Sequence, residues 1–561
     1  MAPVLTTAEA AALSAYPPIV AQLLHNRDVA DAQAADLFFE GDLAQSDDPL
    51  LLSGMAAAVD RLHHAIRTGE RIVVYGDYDT DGVTATALLV QILRILGGQV
   101  EPYIPLREEE GYGLNVEALR KLKHEQGAAV VVSVDCGVRS LEEGQAAQEL
   151  GLDLIITDHH QPGETLPSAL AIINPKQPGD EYPDKGLAGV GLAYKLAQGL
   201  IRPMNPRPRL SASDVLDLVA LGTVADLAPL CGENRMLVRQ GLGVINSRLK
   251  REGLRALMSV ARVKPGAVDA SAIGYMLGPR LNAAGRLESA LAAYDLLTTG
   301  DEAAARNLAG QLELQNRDRQ ELTRWTQARA REIALTTFGD GALLFAADPE
   351  FKPGIVGLAA ARLTDEFYRP AVVATSGPAE TKGSARSIPE FHITNALDQV
   401  RHLLTRHGGH AAAAGFTTAS SNVAELAARL QGIAQDELGN LDLRPTLRVD
   451  VDDVPLDDLT PELAALIERF EPCGYGNLAP TLASRGVRVS TWRTVGADGK
   501  HLKLTVTAGR LTQEAIAFGQ AQQWANKMPA SLDIAYVVEM NEWNGQRRLQ
   551  LNVKSMQAGG A

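Results

Sequence analysis

The stretch RIVVYGDYDTDGVTAT, residues 71–86, decides the fold. Ile72 to Tyr75 is a β-branched and aromatic run without polar interruption, the pattern of a strand buried on both faces. Gly76 to Gly82 then forms a turn carrying Asp77, Asp79 and Asp81, and the apolar residues from Val83 to Leu96 continue at helical length. Strand, acidic turn and helix make one step of a parallel sheet. The step recurs twice. Val130–Val134 runs into Asp135-Cys136-Gly137 with a helical stretch from Leu141, and Leu154–Thr157 runs into Asp158-His159-His160.

Working outward, residues 1–50 read as a helical lead-in with acidic loops at Asp42, Asp47 and Asp48. Residues 51–300 form the first α/β lobe, mostly helical beyond residue 190. Residues 301–335 hold one Gly and no Pro, which predicts a long connecting helix. A second α/β lobe, 336–440, contains the strand-like runs Ala342–Phe345 and Ala371–Ala374. From 441 to 561 alternating runs such as Leu502–Val506 and Arg548–Val553 predict a small β-barrel. The class is therefore α/β: two α/β lobes joined by a long helix, with a C-terminal β-barrel.

Of 561 residues, 46 % are apolar and 22 % charged, an ordinary globular balance. No apolar run approaches the ~18 residues that span a bilayer, and Met1–Ala12 lacks the basic-then-apolar order of a secretory signal. Cys136, Cys231 and Cys473 are far apart, which argues against a disulfide framework or thiolate zinc site and for a reducing cytoplasm. The net charge of −15 excludes coating of nucleic acid by bulk charge. It leaves room for a local basic groove and suits a site that gathers carboxylates around metal ions.

Ligands of open parallel sheets collect beyond the carboxyl ends of the strands. Three such ends here carry acids or histidines, and Asp226 in GTVAD (222–226) is a fourth candidate. Carboxylates gathered there repel one another unless cations intervene. Oxygen donors with a few imidazoles suit two Mn²⁺ or Mg²⁺ ions. Ions about 3.5–4 Å apart would activate water and stabilise in-line attack on phosphorus. Plainer readings compete. DxDxDG also opens an EF-hand loop, but the twelfth position from Asp77 is Leu88, not Glu, and the motif follows a strand. A solvated acidic turn, a turn start at Asp135 and a surface pair at His159-His160 are each tenable alone. Their joint occurrence at successive strand ends speaks against coincidence.

These motifs resemble the DHH phosphoesterase superfamily, whose name is spelled by Asp158-His159-His160. VVYGDYDTDGVTAT (73–86), SVDCG (133–137), ITDHH (156–160) and GTVADLAPL (222–230) stand in that family's order. GGHAAAAGF (408–416) is similar to the glycine-rich signature of its second domain. LGPRLNAAGRL (277–287) and KGSARSI (382–388) resemble its single-stranded-DNA exonuclease branch. The likeness runs from about residue 70 to 420, and the C-terminal region is similar in position to the oligonucleotide-binding (OB-like) barrel of that exonuclease branch. It implies Asp79 as ligand of one ion, Asp81 of the other, Asp135 as the bridge, and His159 and Asp226 completing the second. Asp77 and Asp158 are either ligands or orienting groups, and His160 is a transition-state stabiliser or proton donor. It also implies 5′-to-3′ release of mononucleotides from single strands, in DNA repair and recombination.

A nuclease must also grip phosphates. Arg107, Arg280 and Arg286 offer guanidinium forks. Lys382, Ser384 and Arg386 lie in a stretch that could cradle a terminal phosphate through backbone N–H groups. Gly408 and Gly409 permit close approach, and His410 could donate to phosphate. The plainer readings are arginines paired with helix carboxylates such as Glu288, an exposed polar loop at 382–387, and a tight turn beside an Ala-rich helix at 408–416. In the barrel, Trp492, Trp543, Arg493, Arg547, Arg548, Lys500 and Lys503 suit strand binding, although each Trp could equally be core. The expected partners are single-stranded DNA, a single-strand-binding protein and a helicase, with no membrane and a monomeric state. Two rivals are a DHH phosphodiesterase for short oligonucleotides or cyclic dinucleotides, which gives residues 445–561 no task, and a non-catalytic replication scaffold, which has no use for a full acid set.

Overall fold

Five short parallel strands form the first sheet: β1 (Arg71–Gly76), β2 (Gln99–Tyr103), β3 (Val130–Val134), β4 (Asp153–Thr157) and β5 (Ala171–Ile173), in the order β2-β1-β3-β4-β5. The computed structural model describes residues 4–41, 43–107, 110–202, 212–287, 289–508, 511–543 and 546–559. Ile72 lies opposite both Val100 and Val130, and Val134 opposite Thr157, so the carboxyl ends of β1, β3 and β4 share one edge. Every residue of β3 is buried, as its uninterrupted apolar run requires. β2 and β5 carry no such run in the sequence: β2 contains Pro102, allowed because it lies at the sheet edge, and β5 has three residues.

The described residues divide into two compact units. The first takes the chain up to residue 105, residues 110–278, and the chain from 447 onward. Its helices include α1 (Thr7–Ala12), α2 (Pro18–His25), α3 (Ala32–Glu40), α4 (Met55–Thr68), α5 (Thr80–Ile95), α6 (Val116–His124), α7 (Leu141–Glu149), α8 (Gly189–Ile201), α9 (Leu216–Ala225) and α10 (Gly232–Ser247).

The second unit holds residues 279–446 and the short stretch from Leu106. It contains the whole of the long helix, Glu302–Phe338, whose 37 residues span about 56 Å. Asp301 caps its first turn through a bond from Ala303 N. Ala330 and Ala334 pack this helix against Leu344 and Phe351. The second sheet comprises β6 (Leu344–Asp348), β7 (Ala371–Ser376), β8 (Glu380–Arg386), β9 (Leu404–Gly409) and β10 (Ala413–Ala419), ordered β6-β7-β8-β10-β9. Only the β6–β7 pair is parallel.

Two expectations are corrected here. Residues 382–386 are not a loop but lie in β8, paired on both sides by β7 and β10. Its N–H groups serve those ladders, so a phosphate cradle made from them fails. The alanines of 411–414 form no helix: residues 408–416 make the β9–β10 hairpin, closed by His410 N to Ala413 O at 2.8 Å. Gly409 is required there, because its φ is +154° and a β-carbon would meet Ala413 O at 2.3 Å.

A closed barrel follows in the first unit: β11 (Thr481–Val495), β12 (His501–Ala508), β13 (Leu511–Ala517), β14 (Ser531–Trp543) and β15 (Gln546–Ala558), ordered β11-β12-β13-β15-β14. Helices α2 and α3, with Leu13, share its core. Leu23, Leu24 and Phe39 cluster with Phe470, Leu482 and Tyr536, and Phe39 meets Phe470 edge-on at 5.2 Å. Arg235 of α10 joins the barrel to the α/β sheet region. Its guanidinium is buried over Phe38, 3.9 Å from the ring centre, and donates to the carbonyls of Arg469, Phe470, Glu471 and Pro472 at 2.8–3.1 Å.

Candidate metal centre

Each acid of the centre is placed by a backbone feature its sequence dictates. Asp79 caps α5, its Oδ1 accepting from Asp81 N at 2.9 Å and Gly82 N at 3.1 Å. A β-carbon on Gly82 would sit 2.6–2.7 Å from the Asp77 backbone, so the tight turn needs glycine. Asp81, in the first turn of α5, is fully buried. It accepts Gly189 N at 2.7 Å and Val190 N at 2.8 Å, from the start of α8. That helix end brings partial positive charge and has no side-chain cap of its own, because its N-cap is Ala188.

Asp135 follows β3 with φ +63°, a left-handed conformation that costs a non-glycine residue energy and marks functional sites. Gly189 stands against it: a β-carbon there would lie 2.7 Å from Asp135 Oδ1. Asp158, after β4, accepts Val138 N at 2.9 Å and, through Oδ1, His160 N at 3.0 Å and His160 Nδ1 at 2.7 Å. Asp226 ends α9.

His159 Nε2 lies 3.0 Å from Asp135 Oδ1, 3.8 Å from Asp226 Oδ2 and 3.9 Å from Asp81 Oδ2. Among the described residues three donor groups emerge with atoms within 4.8 Å of one another: Asp77, Asp79 and Asp135; Asp81, His159 and Asp226; and Asp135, His159 and His160. Asp135 belongs to two of them.

The electrostatics are those of a site waiting for cations. Burial, then the Asp79 charge, pushes Asp81 up to about 7. Burial, then Asp81 and Asp79, pushes Asp226 up to about 9. Asp135 is driven well above the carboxylate range by burial and by Asp81 and Asp79. Burial and the neighbouring His160 push His159 down to about 3, leaving it neutral as a ligand must be. Asp135 Oδ1 and His159 Nε2 are buried and neither has a hydrogen bond. Hard oxygens and neutral imidazole fit divalent ions of the Mn²⁺ or Mg²⁺ type. The adjacent Cys136 thiol is buried and pushed up, so it offers no thiolate.

These shifts give a stability signature. A carboxylate raised on folding stabilises below its unfolded value near 4 and loses that contribution as pH climbs through its folded value. Asp81 at about 7 and Asp226 at about 9 place the loss between pH 4 and 9. His159 has the opposite sign, but with an unfolded value near 6.5 it has only a small remainder left to titrate above pH 7. Without metal the melting temperature is therefore expected to fall from pH 7 to 9. Saturating Mn²⁺ should flatten that slope, so the gain from Mn²⁺ grows with pH. Parallel slopes in a calorimetric series would refute this.

Four contributors escaped sequence reading. Gly189 and its amide could not be seen without a cap signal. Tyr112 OH lies 3.4 Å from His160 Nδ1 and 3.5 Å from Asp135 O. Lys176 Nζ donates to His159 O at 2.5 Å, and Asn174 Nδ2 to His160 O at 2.9 Å. Their signal was NPK (174–176), overlooked because β5 was not read as a strand.

The expected phosphate-gripping residues belong to the second unit. Arg280 pairs with Glu313 at 2.7 Å, and Arg286 Nη1 donates to Gly354 O at 3.1 Å. Lys382, Ser384 and Arg386 alternate along one face of β8. Arg386 donates to Ser384 Oγ at 2.9 Å, and both lie about 3 Å from the β-carbon position of Gly357. His410 is exposed at the hairpin tip, with Gly408 and Gly409 on its β9 arm. Arg107 is half-buried. Glu108, Glu109, Glu288 and the Trp543 side chain lie outside the described residues. Trp492 is exposed on β11.

The model of the DHH family, N-terminal domain, matches residues 71–223, that of the DHHA1 domain 340–436, and that of the RecJ OB domain 451–555. The Single-stranded-DNA-specific exonuclease RecJ of Bacillus subtilis is 38 % identical over 540 residues, 96 % of this chain and 67 % of its own length. Its Salmonella typhimurium namesake is 36 % identical over 561 residues, 95 % of each chain. The crystal structure of RecJ from Thermus thermophilus with Mn²⁺ superposes with a TM-score of 0.83 at 30 % identity, covering 99 % of this chain and 78 % of that one. Its Mg²⁺ complex gives 0.78 at 28 %, covering 99 % and 76 %.

Proposed function

This chain belongs to the RecJ family of single-stranded-DNA-specific exonucleases, and from that premise we propose how its acidic centre cuts a strand. It is a metal-dependent exonuclease of single-stranded DNA that uses Mn²⁺ or Mg²⁺. We assign Asp77, Asp79 and Asp135 to one ion and Asp81, His159 and Asp226 to the other, following two of the donor groups, and give Asp135 to both because its Oδ1 is 3.0 Å from His159 Nε2. Asp158 takes the orienting place, since both its oxygens are engaged by Val138 and His160. When bound, the ions acidify water and offset charge on the phosphoryl oxygens.

The protein's own residues do the rest. Asp158 holds His160 Nδ1, which leaves Nε2 directed elsewhere. Burial opposes charge on His160, but the Asp158 hydrogen bond and charge outweigh it and raise its pKa. A protonated imidazole can hand its proton to the departing 3′ oxygen. His160→Gln is accordingly expected to lower kcat by roughly 10²–10⁴-fold and to remove the alkaline limb of the pH profile. An unchanged alkaline limb would remove the assignment.

The Arg107, Arg280, Arg286, Lys382, Ser384, Arg386, Gly408, Gly409 and His410 set is proposed to hold phosphates, and the barrel the trailing strand. Direction is proposed as 5′ to 3′ with mononucleotide release, in repair and recombination. A helicase and a single-strand-binding protein, in the cytoplasm, would supply the strand. Among the described residues no helix is long and apolar enough to cross a membrane.

The observation that carries this reading is the double membership of Asp135 in an acidic and an acid–histidine group. The test digests end-labelled single strands of both polarities with Mn²⁺. Labelled mononucleotide should appear first from 5′-phosphorylated ends, and its absence from both ends would exclude the activity.

A further inference from the structure

Leu227 departs from an ordinary backbone preference immediately beside the metal centre. α9 ends in two reverse hydrogen bonds, Leu227 N to Val224 O and Ala228 N to Thr223 O, each 3.2 Å. In this ending the left-handed position is usually glycine. Here it is leucine, with φ +61°, a conformation that a β-carbon disfavours. Burial does not compensate, because Leu227 is 68 % exposed.

A second exposed apolar group belongs to an element packed on the same helix end. Ile273–Leu277 is a π-helical turn, a rare geometry that gathers at functional sites. It lies against the last turn of α9: a β-carbon on Gly274 would be 3.9 Å from Val224 Cγ1, and one on Gly278 would be 3.2 Å from Ala225 Cβ. Tyr275 in this turn is 84 % exposed. Two large side chains, one of them strained, thus flank the helix end that delivers Asp226, whose Oδ2 is 3.8 Å from His159 Nε2. Neither belongs to the core.

We propose that Leu227 and Tyr275 form a ledge on which a nucleobase adjoining the scissile phosphate stacks. This rests on the exonuclease reading and adds positioning residues to it. An exonuclease that takes any sequence cannot rely on base edges, but every base has an apolar face to stack. Holding the base limits movement of the phosphorus between the ions, and misplacement of a reacting centre is costly.

The test uses the full chain with Mn²⁺ and two 5′-phosphorylated single strands, one normal and one whose leading nucleotides are abasic. Wild type is compared with Leu227→Gly, Tyr275→Ala and Tyr275→Phe. Leu227→Gly relieves the backbone and should melt at the same or a higher temperature. Leu227→Gly and Tyr275→Ala should nevertheless raise KM on the normal strand by roughly 5- to 100-fold. Tyr275→Phe should behave as wild type, all four proteins should share one KM on the abasic strand, and the Mn²⁺-induced rise in melting temperature should not change. Wild-type KM on the normal strand in Leu227→Gly and Tyr275→Ala overturns the ledge, as does an equal loss on the abasic strand. A wild-type protein that degrades neither strand overturns the exonuclease reading, and the ledge with it.

Discussion

Asp135→Ala should lose strand cleavage by more than roughly a thousandfold, the scale on which groups at a reacting centre act. Asp135 is the one residue shared by the acidic donor group and an acid–histidine group. The backbone holds it at φ +63° and Gly189 leaves room for nothing larger beside it. Its loss should therefore cost both ions rather than one. Two further readings separate this from general damage. The metal-free variant should melt at a higher temperature than wild type, because a carboxylate raised by burial and by Asp81 and Asp79 has been removed. The stabilisation by Mn²⁺ should vanish, while long single strands still bind through the barrel. Cleavage equal to wild type in Asp135→Ala would remove the bridging role.

The second large effect is on stability. Arg235→Met keeps an apolar stem but removes the guanidinium from over Phe38 and deletes the donors to five backbone carbonyls, Phe38 O among them. Burial lowers the Arg235 pKa to about 10, so the wild-type group is charged at neutral pH and its bonds are charge-assisted. Carbonyls left buried without donors cost about 1–3 kcal/mol each, and breaking a buried charged site costs about 3–5 kcal/mol. We expect a loss of about 3–5 kcal/mol, read as a lower urea midpoint by fluorescence of the barrel-core Trp524, with faster proteolysis near residue 470. A midpoint within error of wild type would show that the contact is dispensable. Leu230 N also donates to Tyr475 O at 2.7 Å in the segment after Asp226, so the variant should weaken metal affinity as well.

Legibility in the sequence followed burial on both faces. β1, β3 and β4 could be read because continuous apolar runs of strand length end in acids, and the acids defined the centre. β2 and β5 hid because an edge strand tolerates Pro102 and a three-residue strand has no period. The run Lys382-Gly383-Ser384-Ala385-Arg386 looks like a loop by composition, yet its alternation places Gly383 and Ala385 on one face and the longer side chains on the other, as a central strand requires. GGHAAAAGF misled through helix propensity: alanine favours helix, but Gly409 sets a hairpin. Backbone donors such as the Gly189 and Val190 amides leave no mark on side-chain chemistry, so the anchoring of Asp81 was invisible.

The core shared by α2, α3 and the barrel imposes an order on biosynthesis. Residues near 13–39 leave the ribosome roughly four hundred residues before their partners near 454–556. At about 5–20 residues per second the early helices wait roughly 20–80 s with their apolar faces uncovered. During that interval the nascent chain presents a ready target for chaperones, and any message truncated before the barrel yields a product with a permanently sticky beginning.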